Sequence, residues 1–417
     1  MAPDVAGARL EVVTAWSGVE RQRFESVLRP FSARTGVSVQ VISAPDRVPQ
    51  VLAARLAAGR PPDVALLPQP GLLQDLAANG QLIPLDHTVT AEVRRNYSQV
   101  WQQLASYDGQ LYGVWFKAAN KSLIWYNVAA FERAGVVPPS DLPGLLAIGQ
   151  VLTRSGVPAY AVAARDGWTL TDWFENLYLR LAGPERYDLL AAHRIPWTDP
   201  SVKQTLRTLA KILVPANIAG GVAGARRTGF EAAVQSTFAR PPRAAMIAEG
   251  DFVAGVISGM TRAELGVDAD VFPFPSKANA PPAVVGGGDV AVMLLPSAAA
   301  AQLLDYLATP EAAAVWAAKG GFVSPNLNLD LSVYPDDISR SVARGVLDAG
   351  DSFRFDLSDL QPPALGGSER GGMPSELREF LDHRNVDRTA ARLEAAADEA
   401  YGVRPPGQRA PAITRAG

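Results

Sequence analysis

Over residues 10–67, short β-branched runs alternate with stretches of helical apolar spacing, and this alternation restricts the chain to an α/β fold. Residues 10–16 form one apolar run, after which Val19, Phe24, Val27, Leu28 and Phe31 recur at helical spacing until Gly36 ends the pattern. A second strand is predicted over 37–42, a helix over 48–58 closed by Gly59, and a short buried strand over 64–67. Strands separated by helices need crossover connections, so the sheet they build is parallel and doubly wound. Ligands of such sheets collect beyond the carboxyl ends of the strands. The loops Trp16-Ser17-Gly18, Ala44-Pro45-Asp46 and Pro68-Gln69-Pro70 are therefore expected to face one crevice.

Further along, Asp108-Gly109 predicts a tight turn ahead of the extended runs 111–115 and 122–127. From 127 to about 277 the chain reads as mainly helical with Pro/Gly punctuation, which begins a second lobe. Gly286-Gly287-Gly288-Asp289 leads into a strand over 290–295 and an alanine-rich helix over 297–307. The carboxyl part is helical from 327, and the Pro/Gly/Arg-rich stretch 406–417 is expected to be disordered. No fixed-period repeat is present, which excludes solenoids and propellers.

Composition removes several function classes. A net charge of -3 and no long Lys/Arg stripe give no field for collecting phosphates, so nucleic acid is not an expected partner. Cysteine is absent, which excludes disulfides and thiolate chemistry, and three scattered histidines offer no ligand-spaced motif; no metal and no cofactor are expected. The apolar stretch 290–304 is broken by Pro296, Ser297 and Gln302, short of the roughly 18–20 residues a membrane span needs. Gly286-Gly287-Gly288 is not followed by GK[ST] and is no phosphate loop.

Several segments, in order, resemble the carbohydrate-binding proteins of bacterial ABC importers, the family that includes maltose-binding protein. They are Trp16-Ser17-Gly18, Gly59-Arg60-Pro61-Pro62-Asp63-Val64, Gly80-Gln81-Leu82-Ile83-Pro84-Leu85-Asp86, and Asp108-Gly109-Gln110-Leu111-Tyr112-Gly113-Val114 with Leu123-Ile124-Trp125-Tyr126-Asn127. Ala244-Ala245-Met246 with Gly250-Asp251-Phe252, and Gly320-Gly321-Phe322-Val323-Ser324-Pro325-Asn326, complete the series. Trp115-Phe116-Lys117-Ala118, Lys121-Ser122 and Phe353-Arg354-Phe355-Asp356-Leu357-Ser358-Asp359 are similar to the α-glucoside-type subgroup.

The resemblance implies a type II periplasmic-binding-protein fold: two doubly wound α/β lobes, hinge-linked, with a ligand cleft between them. Lobe one would be 9–116 plus 288–319, and lobe two 117–287 plus 320–405. It implies a monomer that binds sugar without catalysis and serves ABC permease transmembrane subunits. It also implies a secreted or lipid-anchored protein, whose signal and lipid-attachment segment would have been removed ahead of Met1.

A sugar presents hydroxyls around its ring and apolar C–H faces above and below it, so its site needs aromatic platforms beside fixed polar groups. Trp16 and Trp115 stand at strand ends, and Asp166-Gly167-Trp168 opens a helix; the resemblance makes Trp168 a stacking residue and puts Phe252 where relatives commonly carry tryptophan. Ser17, Asp46, Gln69, Asn120, Lys121, Glu249, Asp251, Gly287, Asp289 and Arg354 complete the candidate ligand contacts. Trp101, Trp125, Trp197 and Trp316 are assigned to packing. Two alternatives stay open: a non-sugar solute such as a glycerophosphodiester on the same fold, or a glycoside-processing enzyme using a carboxylate pair such as Glu175 and Asp251. The chain lacks G-x-S-x-G, and nothing in the sequence marks that pair.

Overall fold

A computed structural model describes residues 4–45, 47–276, 283–367 and 370–402. Asp46 and the stretch 406–417 lie outside the described residues. Strands β1 (Arg9–Thr14), β2 (Ser38–Ser43) and β3 (Val64–Leu67) run parallel, with Arg9 opposite Ser38 and Val12 opposite Val64. The intervening helix, Gly18–Thr35, buries Phe24, Val27, Leu28 and Phe31. It stops at Gly36, whose φ of 73° places its N–H on the Ser32 carbonyl, a left-handed cap that glycine adopts without steric cost. The hairpin β4 (Ser106–Tyr107) and β5 (Gln110–Leu111) turns through Asp108 and Gly109, with φ 46° and 75°.

Strand β6 (Gly113–Asn120) continues through Lys121 and Ser122 into β7 (Leu123–Asn127). β7 lies between β8 (Met246–Ala248) and β9 (Ala269–Pro273) in an all-antiparallel second sheet. Strand β10 (Val284–Met293) ties the two halves together. One edge pairs antiparallel with β6; the other pairs with β11 (Phe353–Phe355) from Val284 to Gly286 and with β3 from Val290 to Met293. The first sheet is thus mixed: its β1–β3 part is parallel as the crossover argument requires, while β10 returns antiparallel to β3 and to β6.

Two hydrophobic cores form. One gathers Val12, Phe24, Leu66, Leu303 and Trp316 around the first sheet, and the other Trp173, Phe174, Tyr178, Leu206 and Leu393 around the helix Trp168–Ala182. Each buried side chain of this size contributes about 1.5–3 kcal/mol toward holding its elements together. Trp101, Trp125, Trp197 and Trp316 are all buried, as assigned.

Candidate solute-binding site

The floor between the two cores is the β6–β10 ribbon. Register shifts between Asp289 and Val290, so Lys117 pairs with Asp289 while Trp115 pairs with Val290. A bulge of this kind turns neighbouring side chains to opposite faces. Lys117 and Asp289 therefore share one face, and Trp115 turns away onto Trp101 and Phe355, with ring centroids at 5.3 and 5.1 Å. Trp115 is a core residue, which corrects its assignment as a ligand platform. Trp16 is also buried, edge-on to Phe24 and Trp316, and its indole Nε1 donates to Asp289 Oδ2 at 3.3 Å. Lys117 Nζ lies 2.6 Å from Glu20 Oε1 and 5.7 Å from the Trp16 ring centre.

Four residues on from Lys117, Lys121 reaches the other side. Its ammonium contacts Asp356 Oδ2, lies 3.3 Å from Asp172 Oδ1, and stands 5.6 Å from the centre of the Trp168 ring. Asp172 and Glu175 project from one face of the helix Trp168–Ala182, one turn apart. Glu175 accepts from the Leu357 and Ser358 amides at 2.9 and 3.0 Å, which fixes the turn carrying Asp356 and Asp359. Gln69 donates to Asp359 Oδ1 at 3.0 Å and so joins the β3 loop to that turn.

Burial acts on every carboxyl here. It pushes Glu249 and Asp356 well above the usual carboxylate range, with neighbouring Asp172 adding to both, and raises Glu175 to about 7. Burial alone would lower the Lys121 ammonium, but Asp172, Asp356 and Asp359 hold it well above its ordinary value. Asp172 and Glu249 are neighbouring carboxyls: burial raises both, and the nearby Asp172 raises Glu249 further. No amide, hydroxyl or ammonium of the described residues donates to Asp172 Oδ2, Glu249 Oε2 or Asp356 Oδ1.

Beside this cluster three half-buried rings form an apolar wall. Trp168 lies 5.5 Å from Phe230 and 5.9 Å from Phe252, and the two phenylalanines are 5.3 Å apart. Asp166 sets the wall's geometry, because its Oδ2 accepts the Phe230 amide at 2.6 Å. Gly287 sits under Lys121 and Asp356. The structure thus brings together Gln69, Lys121, Asp166, Trp168, Glu249, Phe252, Gly287 and Asp289 around one floor and wall.

The remaining candidates have other employment. Asp251 Oδ1 accepts the Asn120 amide at 2.7 Å, and the Asn120 side chain is used internally by Ser122 N and the Val342 carbonyl. Ser17 is exposed at the start of the first helix and makes no side-chain cap. Arg354 does not reach the cluster: Phe353 and Phe355 point into the core, so alternation along β11 sends Arg354 the other way, onto Asp188 at 2.6 Å. The suggested catalytic pair also separates, since Glu175 groups with Asp172 and Asp356, their oxygens within 4.8 Å of one another, and not with Asp251.

Asp172, Asp356, Asp359, Phe230 and Lys117 were not among the candidates. One signal was present: Asp172, Glu175, Asn176 and Arg180 recur at helical spacing in a helix whose other residues are nearly all apolar. Polar groups on an otherwise buried helix mark a polar network inside the protein.

The sequence pattern of the bacterial extracellular solute-binding protein family matches residues 17–314. The chain belongs to this family. Members are the substrate-binding components of ABC transporters, not enzymes. This solute-binding protein is 35% identical over 358 residues to the osmoprotective compounds-binding protein GgtB of Synechocystis sp., covering 84% of this chain and 83% of that one. It is 31% identical over 411 residues to the alpha-glucosides-binding periplasmic protein AglE of Rhizobium meliloti, covering 95% and 88%. The solved solute receptor AcbH superposes with a TM-score of 0.82 at 21% identity, over 95% of this chain and 100% of the other, and shares the α/β fold. No helix among the described residues is long and apolar enough to cross a membrane.

The site gives the solute-binding protein a pH signature. Burial raises Glu175 and Asp289 to about 7 and Asp251 to about 6, above the ordinary carboxylate range. Between about pH 4.5 and 7 the folded state holds protons that the unfolded chain has released, so stability falls as pH rises through that window. The melting temperature of ligand-free protein should be several degrees higher at pH 5 than at pH 8, and Asp289→Asn should flatten the difference. Equal melting temperatures at the two pH values would contradict this assignment.

Proposed function

We propose that this solute-binding protein captures a neutral glucoside or short oligosaccharide of the α-glucoside class and delivers it to the permease of an ABC importer. It would act as a monomer, periplasmic or lipid-anchored. The unit 9–116 plus 288–319 would close on 117–287 plus 320–405 by a hinge motion. The observation that carries this reading is the half-buried Trp168, Phe230 and Phe252 wall beside the Asp172, Glu249 and Asp356 carboxyls, a pairing in which rings would cover a C–H face and carboxyls would bond hydroxyls. The name of AglE, an alpha-glucosides-binding protein, supports the same class of solute, and that of GgtB points to osmoprotective compounds.

The acidic surroundings argue against a glycerophosphodiester, whose anion would sit among Asp172, Glu249, Asp356 and Asp359 with Lys121 already ion-paired. Titration calorimetry with glucosylglycerol, sucrose, trehalose, maltose and maltotriose tests the proposal. The expected result is saturable one-to-one binding of at least one of them, with the sugar recovered unchanged. Folded protein that gives no heat with any of them, or that releases glucose from the bound sugar, would overturn it.

A further inference from the structure

Outside the solute site, one further group of metal-ligating side chains converges. His193 follows the helix Pro184–Ala191, and Glu394 and Asp398 lie one turn apart on the helix Val386–Ala400, a spacing that puts both carboxylates on one face. Each of the three residues offers one donor atom, and these atoms all lie within 4.8 Å of one another. His193 Nε2 is 3.3 Å from Glu394 Oε1. Two ligand atoms held roughly 2.0–2.1 Å from a tetrahedral zinc ion are roughly 3.3–3.4 Å apart, so this nitrogen and oxygen already stand at the spacing of two ligands on one ion.

The surroundings hold the imidazole and one carboxylate in place. The His193 side chain is only 8% exposed, and its ring lies against Tyr401, with ring centroids 5.0 Å apart; the Tyr401 hydroxyl is itself fixed, donating to the Ala191 carbonyl at 2.6 Å. Glu394 Oε2 accepts the Trp197 amide at 2.5 Å, which leaves Oε1 toward His193. Contacts of this kind orient the ligands of a metal ion. Asp398 is half-buried, and among the described residues no N–H, O–H or cationic group meets its carboxylate. Two carboxylates this close repel each other unless positive charge lies between them. In the buried group Asp172, Glu175 and Asp356 the Lys121 ammonium supplies that charge, whereas no ammonium or guanidinium of the described residues pairs with Glu394 or Asp398.

We propose that His193, Glu394 and Asp398 bind a divalent transition-metal ion of the zinc class, with water completing its shell, and that the ion pins the helix Val386–Ala400 to the turn after Pro184–Ala191. One imidazole nitrogen with two carboxylates suits zinc better than calcium or magnesium, which take oxygen ligands. No motif in the sequence announces the site, because His193 and Glu394 are 201 residues apart and meet only in the fold. The site is distinct from the solute-binding cluster, and it stands whether or not the solute is a carbohydrate.

Titration calorimetry with zinc chloride on the full chain, first stripped of metal with EDTA, tests this beside His193→Gln and Asp398→Asn. Wild type should bind one equivalent, and its melting temperature should rise by about 2 °C or more in saturating zinc. Each variant should bind at least about tenfold more weakly and lose that rise. Asp398→Asn keeps the size of a side chain that has no protein partner, so without metal it should melt with wild type; it carries the test if His193→Gln fails to fold. Calcium should bind wild type at least about tenfold more weakly than zinc. Folded wild type that takes up no zinc, zinc affinity that Asp398→Asn leaves within about twofold, or calcium binding as tight as zinc would each overturn the site and reduce His193 and Glu394 to an ordinary side-chain pair.

Discussion

Lys121→Met is expected to destabilise the protein by about 3–5 kcal/mol at pH 8 and to abolish solute binding. The methionine retains the length of the stem but removes the ammonium that contacts Asp356 and lies 3.3 Å from Asp172. Those carboxylates are buried, and a buried charge without its partner either carries the desolvation penalty or takes up a proton. The loss should therefore shrink at pH 5, where protonation relieves the cluster. Urea denaturation at the two pH values reads both effects. A loss below about 1 kcal/mol at pH 8 would mean that Lys121 behaves as an ordinary surface cation.

Trp168→Ala should leave the fold largely in place and weaken sugar binding by at least about thirtyfold, the scale of a binding hot spot. The indole is the first residue of its helix and half-buried, packed on Phe230 and Phe252 rather than within either core. Its removal costs modest packing but takes away the largest ring of the wall. Calorimetry with the tightest-binding sugar, paired with a melting curve, separates the two contributions. An affinity within threefold of wild type would show that the wall does not touch the solute.

Sequence periodicity reached β1 to β3 and the glycines that close their helices, because those features are set by local backbone preference. The antiparallel return of β10 was not legible, since nothing within ten residues of Val290 records which strand it will meet. The acidic cluster was hidden for a different reason. Asp172, Asp356 and Asp359 look like ordinary surface carboxylates, and only the meeting of Lys121 with partners 51 and 235 residues away makes their burial tolerable. Trp115 failed as a candidate through a single bulge, a shift of register that no composition or period announces. Trp168 was reached through resemblance, and the structure adds Phe230 to its company by way of the Asp166 carboxylate.

Strand β10 places Val285 in one core and Val284, Val290 and Val292 in the other, so a single backbone is shared by both cores. Under the hinge closure proposed above, a rotation of one core against the other would be absorbed near the Asp289/Val290 irregularity, where the ladder of β10 is interrupted. Asp289, on the floor, would then meet an arriving solute in nearly the same place whether the cleft is open or shut, while the Trp168 wall swings in afterwards. Arrival and retention are thereby assigned to different residues: changes on the floor should register in the association rate, and changes in the wall in the time a captured molecule stays bound.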